Sequence, residues 1–216
     1  MKRQQSGFTL VEIAIVLVII GLLIGGVLKG QEIITNARVV NIENSFNGIS
    51  AAIFSYQDRY RALPGDDAKA NIRFPAFASA SGTVIGSGNG IIEGQFKSTT
   101  DTDESRLFWL HLRNAGLVPG AVSPSDLNSF EQPTNPYGGK IGVSSDPTVA
   151  STKPANITGM YVGFAVIPGK IAQILETRAD DTVPDTGSVQ ALKNSDDSAV
   201  TTKYDPLEIY DVFLTL

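Results

Sequence analysis

The sequence predicts an α+β fold, in which one long N-terminal helix is packed on a small antiparallel sheet with long loops and extra short helices. Three observations predict it. No proline interrupts the chain from Phe8 to Tyr60, and its apolar residues pass from an unbroken run to a stripe. Four short segments in the last half are rich in β-branched and aromatic residues and are separated by turn-forming residues. Between them lie stretches of glycine, proline, serine and threonine with neither a helical nor a strand period.

The helix comes first. From Phe8 to Leu28 the residues are apolar all round, and Glu12 is the one charge. Roughly 21 residues at about 1.5 Å each span roughly 31 Å, the thickness of a bilayer's hydrocarbon core. An ordinary secretory signal has a shorter apolar core and a small-residue cleavage site after it; Val27-Leu28-Lys29-Gly30 is a poor one. Beyond Gln31 the pattern changes. Ile42, Phe46, Ile49, Ile53, Tyr56 and Tyr60 recur at spacings of three and four, with Glu43, Asn44, Asn47, Gln57 and Asp58 between them. All-round apolarity suits lipid or a bundle core, whereas a stripe suits a domain packed on one side. Leu63-Pro64-Gly65-Asp66 ends the helix, because the residue before proline disfavours helical backbone.

Residues 64 to 103 read as turns with a short extended piece around Ser87-Gly88-Asn89-Gly90-Ile91-Ile92. Asp103 is placed to cap a helix from Glu104 to Asn114, with Leu107, Phe108, Leu110 and Leu112 as its buried side and Gly116 as its stop. Residues 117 to 138 carry Pro119, Pro124, Pro133 and Pro136 and read as loop. The strand candidates are Lys140 to Val143, Met160 to Ile167, Gly187 to Leu192 and Glu208 to Leu214. Pro168 suits a first helical position, with Ile171, Ile174 and Leu175 following on one face. No internal repeat is visible.

The chain has 216 residues, a net charge of −5 and no cysteine. Beyond its apolar segment it suffices for one compact domain and is short for two. An acidic balance argues against a nucleic-acid partner bound by bulk charge. Without cysteine, no disulfide can staple the domain.

Catalytic constellations are hard to assemble, and no enzymatic activity is expected. His111 is the single histidine and lies inside a predicted helix, where packing or exposure explains it better than catalysis. No Cys-His, Ser-His-Asp or His-rich metal pattern can be built. The glycine-rich run near Gly88 lacks the Gly-Lys-Ser/Thr ending of a phosphate loop and opens no helix. Asp180-Asp181, Asp185, Asp196-Asp197, Asp205 and Glu208 cluster late in the chain. Hard oxygen donors on loops suit calcium, but a solvated acidic loop is the usual explanation of such a cluster, and their spacing is not that of a helix-loop-helix calcium loop.

Glu12 is the residue that a plain membrane anchor leaves unexplained. An acidic side chain costs roughly 2.5 to 3.5 kcal/mol at the centre of a membrane helix and less near its end. The cost calls for a partner. The nearby candidate is a new amino terminus, made by cutting before Phe8 and presented by a neighbouring copy of the helix. Lys2 and Arg3 ahead of the span keep the short leader cytoplasmic.

Lys2-Arg3, Gly7, Phe8-Thr9-Leu10-Val11-Glu12 and the apolar helix after them closely resemble the amino terminus of type IV prepilins and type II secretion pseudopilins. The likeness directly covers the segment up to Gly30. It implies a type IV pilin-like fold and three regions: a leader over 1–7, a membrane and filament-core half-helix over 8–28, and an exported globular domain over 29–216. It implies cleavage by a prepilin peptidase between Gly7 and Phe8, N-methylation of Phe8, and pairing of Glu12 with the Phe8 amine of an adjacent subunit. The implied function is a structural subunit of a type IV pilus or related filament. It would lie in the bacterial inner membrane as a single-pass protein with its C-terminal domain outside the cytoplasm, then enter a pilus or periplasmic filament. Implied partners are membrane lipid, identical or related subunits, and an inner-membrane assembly platform with a separate ATPase. A pseudopilin or minor pilin of a type II secretion-like system is the alternative within this class; a membrane-anchored periplasmic binding protein is the alternative outside it. Major pseudopilins hold calcium in a C-terminal loop, so the likeness also implies possible calcium, with Asp180, Asp181 and Asp185 as donors. Many pilins carry a proline about where Lys29 stands; here Gly25, Gly26 and Gly30 are the local helix-weakening residues.

Overall fold

The computed structural model describes residues 9–77, 84–149, 153–200 and 203–216. Helix α1 runs without a break over Leu10–Tyr60, through all of its glycines. Close contacts divide the chain into two compact units, Met1–Val40 and Asn41–Leu216. In the first unit the apolar side chains from Leu10 to Leu28 stand exposed. In the second unit the stripe is a core face. Ile42, Ile49, Ile53 and Tyr56 are buried, as is Ala52, while Phe46 and Tyr60 at the stripe's margins are half-buried. On the opposite face Phe54 is 61% exposed.

Four strands form one antiparallel sheet: β1 (Ile141–Ser144), β2 (Tyr161–Pro168), β3 (Val189–Lys193) and β4 (Ile209–Thr215), in the order β1-β2-β4-β3. Each begins within two residues of its expected start. The last strand is inserted between β2 and β3, which therefore run the same way on either side of it. Helices α2 (Ala70–Arg73), α3 (Glu104–Asn114) and α4 (Gly169–Ala179) complete the fold. Helix α4 lies against β2, β3 and β4, and α3 against β1.

The register puts Gly142 and Gly163 side by side on one face of the sheet, with Tyr161 and Phe213 on the same face. A side chain at either glycine would collide with Phe96. Their absence lets Phe96 lie directly on the sheet, edge-on to Phe213 at 5.1 Å, in a cluster with Ile157, Tyr161, Ala165 and Leu192. Both sheet edges are occupied by the chain itself. On β1, Ile141 donates to the Pro133 carbonyl; on β3, Ala191 donates to Pro184 and Lys193 to Ser198. Neither edge is left as a row of free donors for another strand.

Local details depart from expectation in three places. Asp103 occupies the N-cap position of α3 but makes no capping bond; its carboxylate accepts from the Ser98 hydroxyl at 2.6 Å instead. Pro168 is the last residue of β2, and α4 starts one residue later at Gly169. Helix α3 is buried on every side, not one, since all residues from Glu104 to Arg113 are enclosed. Its stop is as expected: Gly116, at φ +71°, and Leu117 donate to the carbonyls of Arg113 and Leu112, closing the helix end in a Schellman turn.

His111 is packed within this helix. Its Nδ1 accepts the Gly65 N–H at 3.0 Å, so the ring proton sits on Nε2 and is donated to the Val84 carbonyl at 2.8 Å. Tyr56, Phe74 and Phe77 surround the ring. Burial holds its pKa down to about 4.

Two outcomes follow from this packing. Ile53 is 2% exposed, so Ile53→Asp should cost more than about 3 kcal/mol of stability. Phe54→Asp on the outer face should change the melting temperature little, and an equal loss in both variants would mean that the stripe is not a core face. The fold holds His111 neutral, so its contribution is complete above its ordinary value of 6.5 and is lost as pH falls towards 4. Denaturant melts between pH 7 and pH 4 should show about 3 kcal/mol more acid destabilisation in the wild type than in His111→Gln.

Candidate functional site

The start of α1 carries the first candidate constellation. Gly7 and Phe8 lie outside the described residues. Glu12 is described, and it has a partner in its own chain. Its Oε2 accepts both the backbone N–H and the hydroxyl of Thr9 at 2.8 Å, and its own N–H donates to the Thr9 hydroxyl at 3.3 Å. This is a reciprocal capping box, which satisfies donors that the first turn of a helix leaves free. The expectation that only a neighbour's amine lay within reach is therefore corrected. The Thr-x-x-Glu spacing was legible, but a membrane segment is usually read for hydropathy and not for caps. Among the described residues, α1 is the one helix long and apolar enough to cross a membrane.

The glycine-rich loop is the second. Its backbone N–H groups converge on an anion, as in a phosphate loop, but the anion is the protein's own. Asp66 accepts from Gly88 at 2.5 Å, Asn89 at 3.0 Å and Gly90 at 2.7 Å, and from the Ser87 hydroxyl at 3.1 Å. Glu104, at the first turn of α3, accepts from the N–H groups of Ser87 at 2.6 Å and Glu93 at 2.9 Å. Burial raises its pKa. Neighbouring Asp67 is 1% exposed and takes the Tyr56 hydroxyl at 2.8 Å, the Lys69 N–H at 2.9 Å and the Arg73 guanidinium. A cleft of about 510 Å³ opens here, lined by Gln57, Arg61, Lys69 and Arg73 among others. With the nest filled by Asp66 and Asp67 engaged on three sides, the loop is a structural lock and offers no nucleotide cradle.

The late acids are the third, and they divide. Asp197 pairs with Lys97, and Asp205 caps its own turn at Leu207. Asp185 joins no group of converging acids among the described residues. Asp180 and Asp181 do converge, but with Glu176, a residue that sequence reasoning passed over. One oxygen from each of these three lies within 4.8 Å of the others. Glu176 projects from α4, one helical turn before Asp180, and that i, i+4 spacing was the available signal. Its Oε2 accepts the Tyr204 hydroxyl at 2.9 Å. Burial, countered in part by that hydroxyl and reinforced by the two aspartates, raises its pKa to about 7.

Comparison with known proteins singles out the first constellation. The model of the prokaryotic N-terminal methylation motif matches residues 2–28. Over 103 residues the chain is 31% identical to the fimbrial protein EcpC of Eikenella corrodens, a stretch covering 46% of this chain and 67% of that protein. No solved structure matches the chain. The methylation motif runs into the helix that Thr9 and Glu12 begin, and the likeness to the fimbrial protein is far longer than that motif: the chain belongs to the type IV pilin family.

Proposed function

We propose that this protein is a structural, non-enzymatic subunit of a type IV pilus or related filament, matured by a prepilin peptidase and assembled from the inner membrane. The observation that carries the reading is the methylation motif over 2–28 leading into one uninterrupted helix with a carboxylate in its first turn. Cleavage falls between Gly7 and Phe8, and the new Phe8 amine is methylated. The apolar half of α1 then passes from lipid into a bundle of neighbouring helices. Lipid and bundle are equally apolar, so this transfer gains little hydrophobic energy, and packing and polar pairing must bias it. Glu12 supplies the pairing. In a staggered array one axial offset sets it beside the next subunit's Phe8 amine, which also fixes the register. Such contacts run head to tail and build an open helical fibre. The work of extraction comes from an assembly platform and its separate ATPase.

The mature chain should begin at Phe8 and carry a methyl group there, as read by mass spectrometry of protein recovered from membranes or filaments. A start after Gly26 or Gly30 would mean an ordinary signal peptide and end this reading. Glu12→Ala should be cleaved and inserted at least as well as the wild type, since the insertion cost of the acid, up to about 3 kcal/mol, is removed. Its filament yield, with wild-type subunits absent, should fall sharply. Normal filaments from that variant would remove Glu12 from assembly. If deleting the gene leaves surface filaments intact but stops secretion, the subunit serves a type II secretion-like fibre instead.

A further inference from the structure

We infer that the cleft beside the end of α1 binds a small hydroxylated ligand that carries an oxyanion, a sugar phosphate or a sugar acid, through Arg61, Lys69 and Arg73. Three observations carry this. The first is the cavity itself, about 510 Å³, a volume that suits a small ligand. The second is its charge. The two carboxylates that reach the cleft, Asp66 and Asp67, are buried and already taken up by the loop N–H groups, Tyr56 and Arg73. The rim cations are not used up in this way. Lys69 is exposed and joins no ion pair among the described residues. Arg61 pairs with Asp58 at 3.6 Å, both side chains in open solvent, and such a pair contributes little. In a chain of net charge −5, attraction of an anion here is a property of the cleft and not of the bulk charge. The third is strain. Arg61 directly follows α1 at φ +54°, in the left-handed region, with its N–H on the Gln57 carbonyl at 2.8 Å. Glycine is the usual residue at such a helix end, because a side chain there is strained. An arginine kept in that position with its guanidinium in solvent points to a use outside the fold.

The lining defines the ligand. Arg73 is the anchored member: its Nη1 donates to Asp67, and its guanidinium lies over the Tyr60 ring, 5.5 Å from the centroid, so it is held before any ligand arrives. A guanidinium carries five N–H donors, and the Asp67 contact engages one nitrogen. Arginine forks match the paired oxygens of a carboxylate or a phosphate, and lysine adds a mobile point charge. Gln57 contributes an amide, which both donates to and accepts from hydroxyls, and Leu63 and Ala68 give the cleft an apolar wall. A bare oxyanion uses only the three cations, whereas a hydroxylated body also uses Gln57 and the wall. The N–H groups of loop 87–90 stay on Asp66 and take no part, so the site is not a phosphate loop. The inference stands apart from the proposed filament role and does not rest on it.

The test is calorimetric titration of the full-length protein, in micelles of an uncharged detergent, with glucose 6-phosphate, glucuronate, glucose and inorganic phosphate. Saturable binding of one anionic sugar per chain is the expected result, weakening as salt is raised, with no binding of glucose. The tighter of the two anionic sugars names the head group. Inorganic phosphate should bind more weakly than glucose 6-phosphate, since it leaves Gln57 and the apolar wall unused. Arg61→Gln and Lys69→Gln should each weaken binding roughly tenfold or more while melting like the wild type, as neither residue is buried. Arg61→Gly should lose as much affinity and melt higher than the wild type, because it relieves the left-handed backbone. No binding of either anionic sugar by the wild type at millimolar concentration would overturn the site, as would wild-type affinity in Arg61→Gly. Binding that both glutamine variants leave unchanged would overturn it as well, as attraction to some other part of the protein.

Discussion

The second compact unit, Asn41–Leu216, is organised around two adjacent buried carboxylates, Asp66 and Asp67, at the turn that ends α1. Two acids side by side in an interior are strongly unfavourable unless donors surround them. Here the donors come from everywhere else. The loop 87–90 closes on Asp66, while α1 sends Tyr56 and α2 sends Arg73 to Asp67. One residue earlier, the Gly65 N–H is received by His111 of α3. Helix α1, the short α2, the glycine loop and α3 therefore meet at three consecutive residues. Gly65 is required there: at φ +90° its Cα stands so near the Glu104 carbonyl that a side chain would collide.

The same device recurs where a disulfide might otherwise serve. Arg113 leaves the end of α3 and donates to the carbonyls of Pro119, Asn128, Ser129 and Glu131, pinning the long loop after that helix. Asn135 spans its own turn through Tyr137 and Gly139 and donates to Ala165 in the sheet at 2.6 Å. Asp211, fully buried in β4, accepts from Lys97 at 2.8 Å and Asn194 at 2.7 Å. It also takes the N–H of Val166, a β-branched residue held at φ +60° in the β2 bulge. Backbone of that kind persists only where its surroundings over-determine it. In a chain without cysteine, buried polar side chains that each collect several partners do the tying.

These clamps also mark what the sequence could and could not reveal. Long α1 and helices α3 and α4 were legible from their apolar spacing, and all four strands from runs of β-branched and aromatic residues between turns. The sheet order was not, since nothing in β4 itself says that it slides between β2 and β3. Helix α2 is a single turn, too short for any period. Asp66 read as punctuation after a proline and glycine, because the donors that bury it lie more than twenty residues away at Gly88 and beyond. Asp185 stood nearer to Asp180 and Asp181 in type and loop context than Glu176 did, yet the helix brings Glu176 to them. Spacing along a helix is a geometric statement, whereas proximity within a loop is not.

The capping box at Thr9 changes how the proposed assembly step must be balanced. In a lone subunit Glu12 is not an unsatisfied acid waiting in lipid; Thr9 already gives it two donors. A neighbour's Phe8 amine therefore adds to, or displaces, bonds that exist, and only the difference drives assembly. Thr9 offers neutral donors and the amine a full positive charge, so in the proposed step the exchange adds an ion pair and runs towards the amine once two helices lie at the right offset. At a wrong offset Glu12 keeps Thr9 and loses little. The local partner thus lowers the cost of waiting in the membrane and of a misaligned encounter, while leaving a positive gain for the aligned one. Specificity of register then rests on the margin between two satisfied states, a smaller quantity than the cost of a bare acid in hydrocarbon.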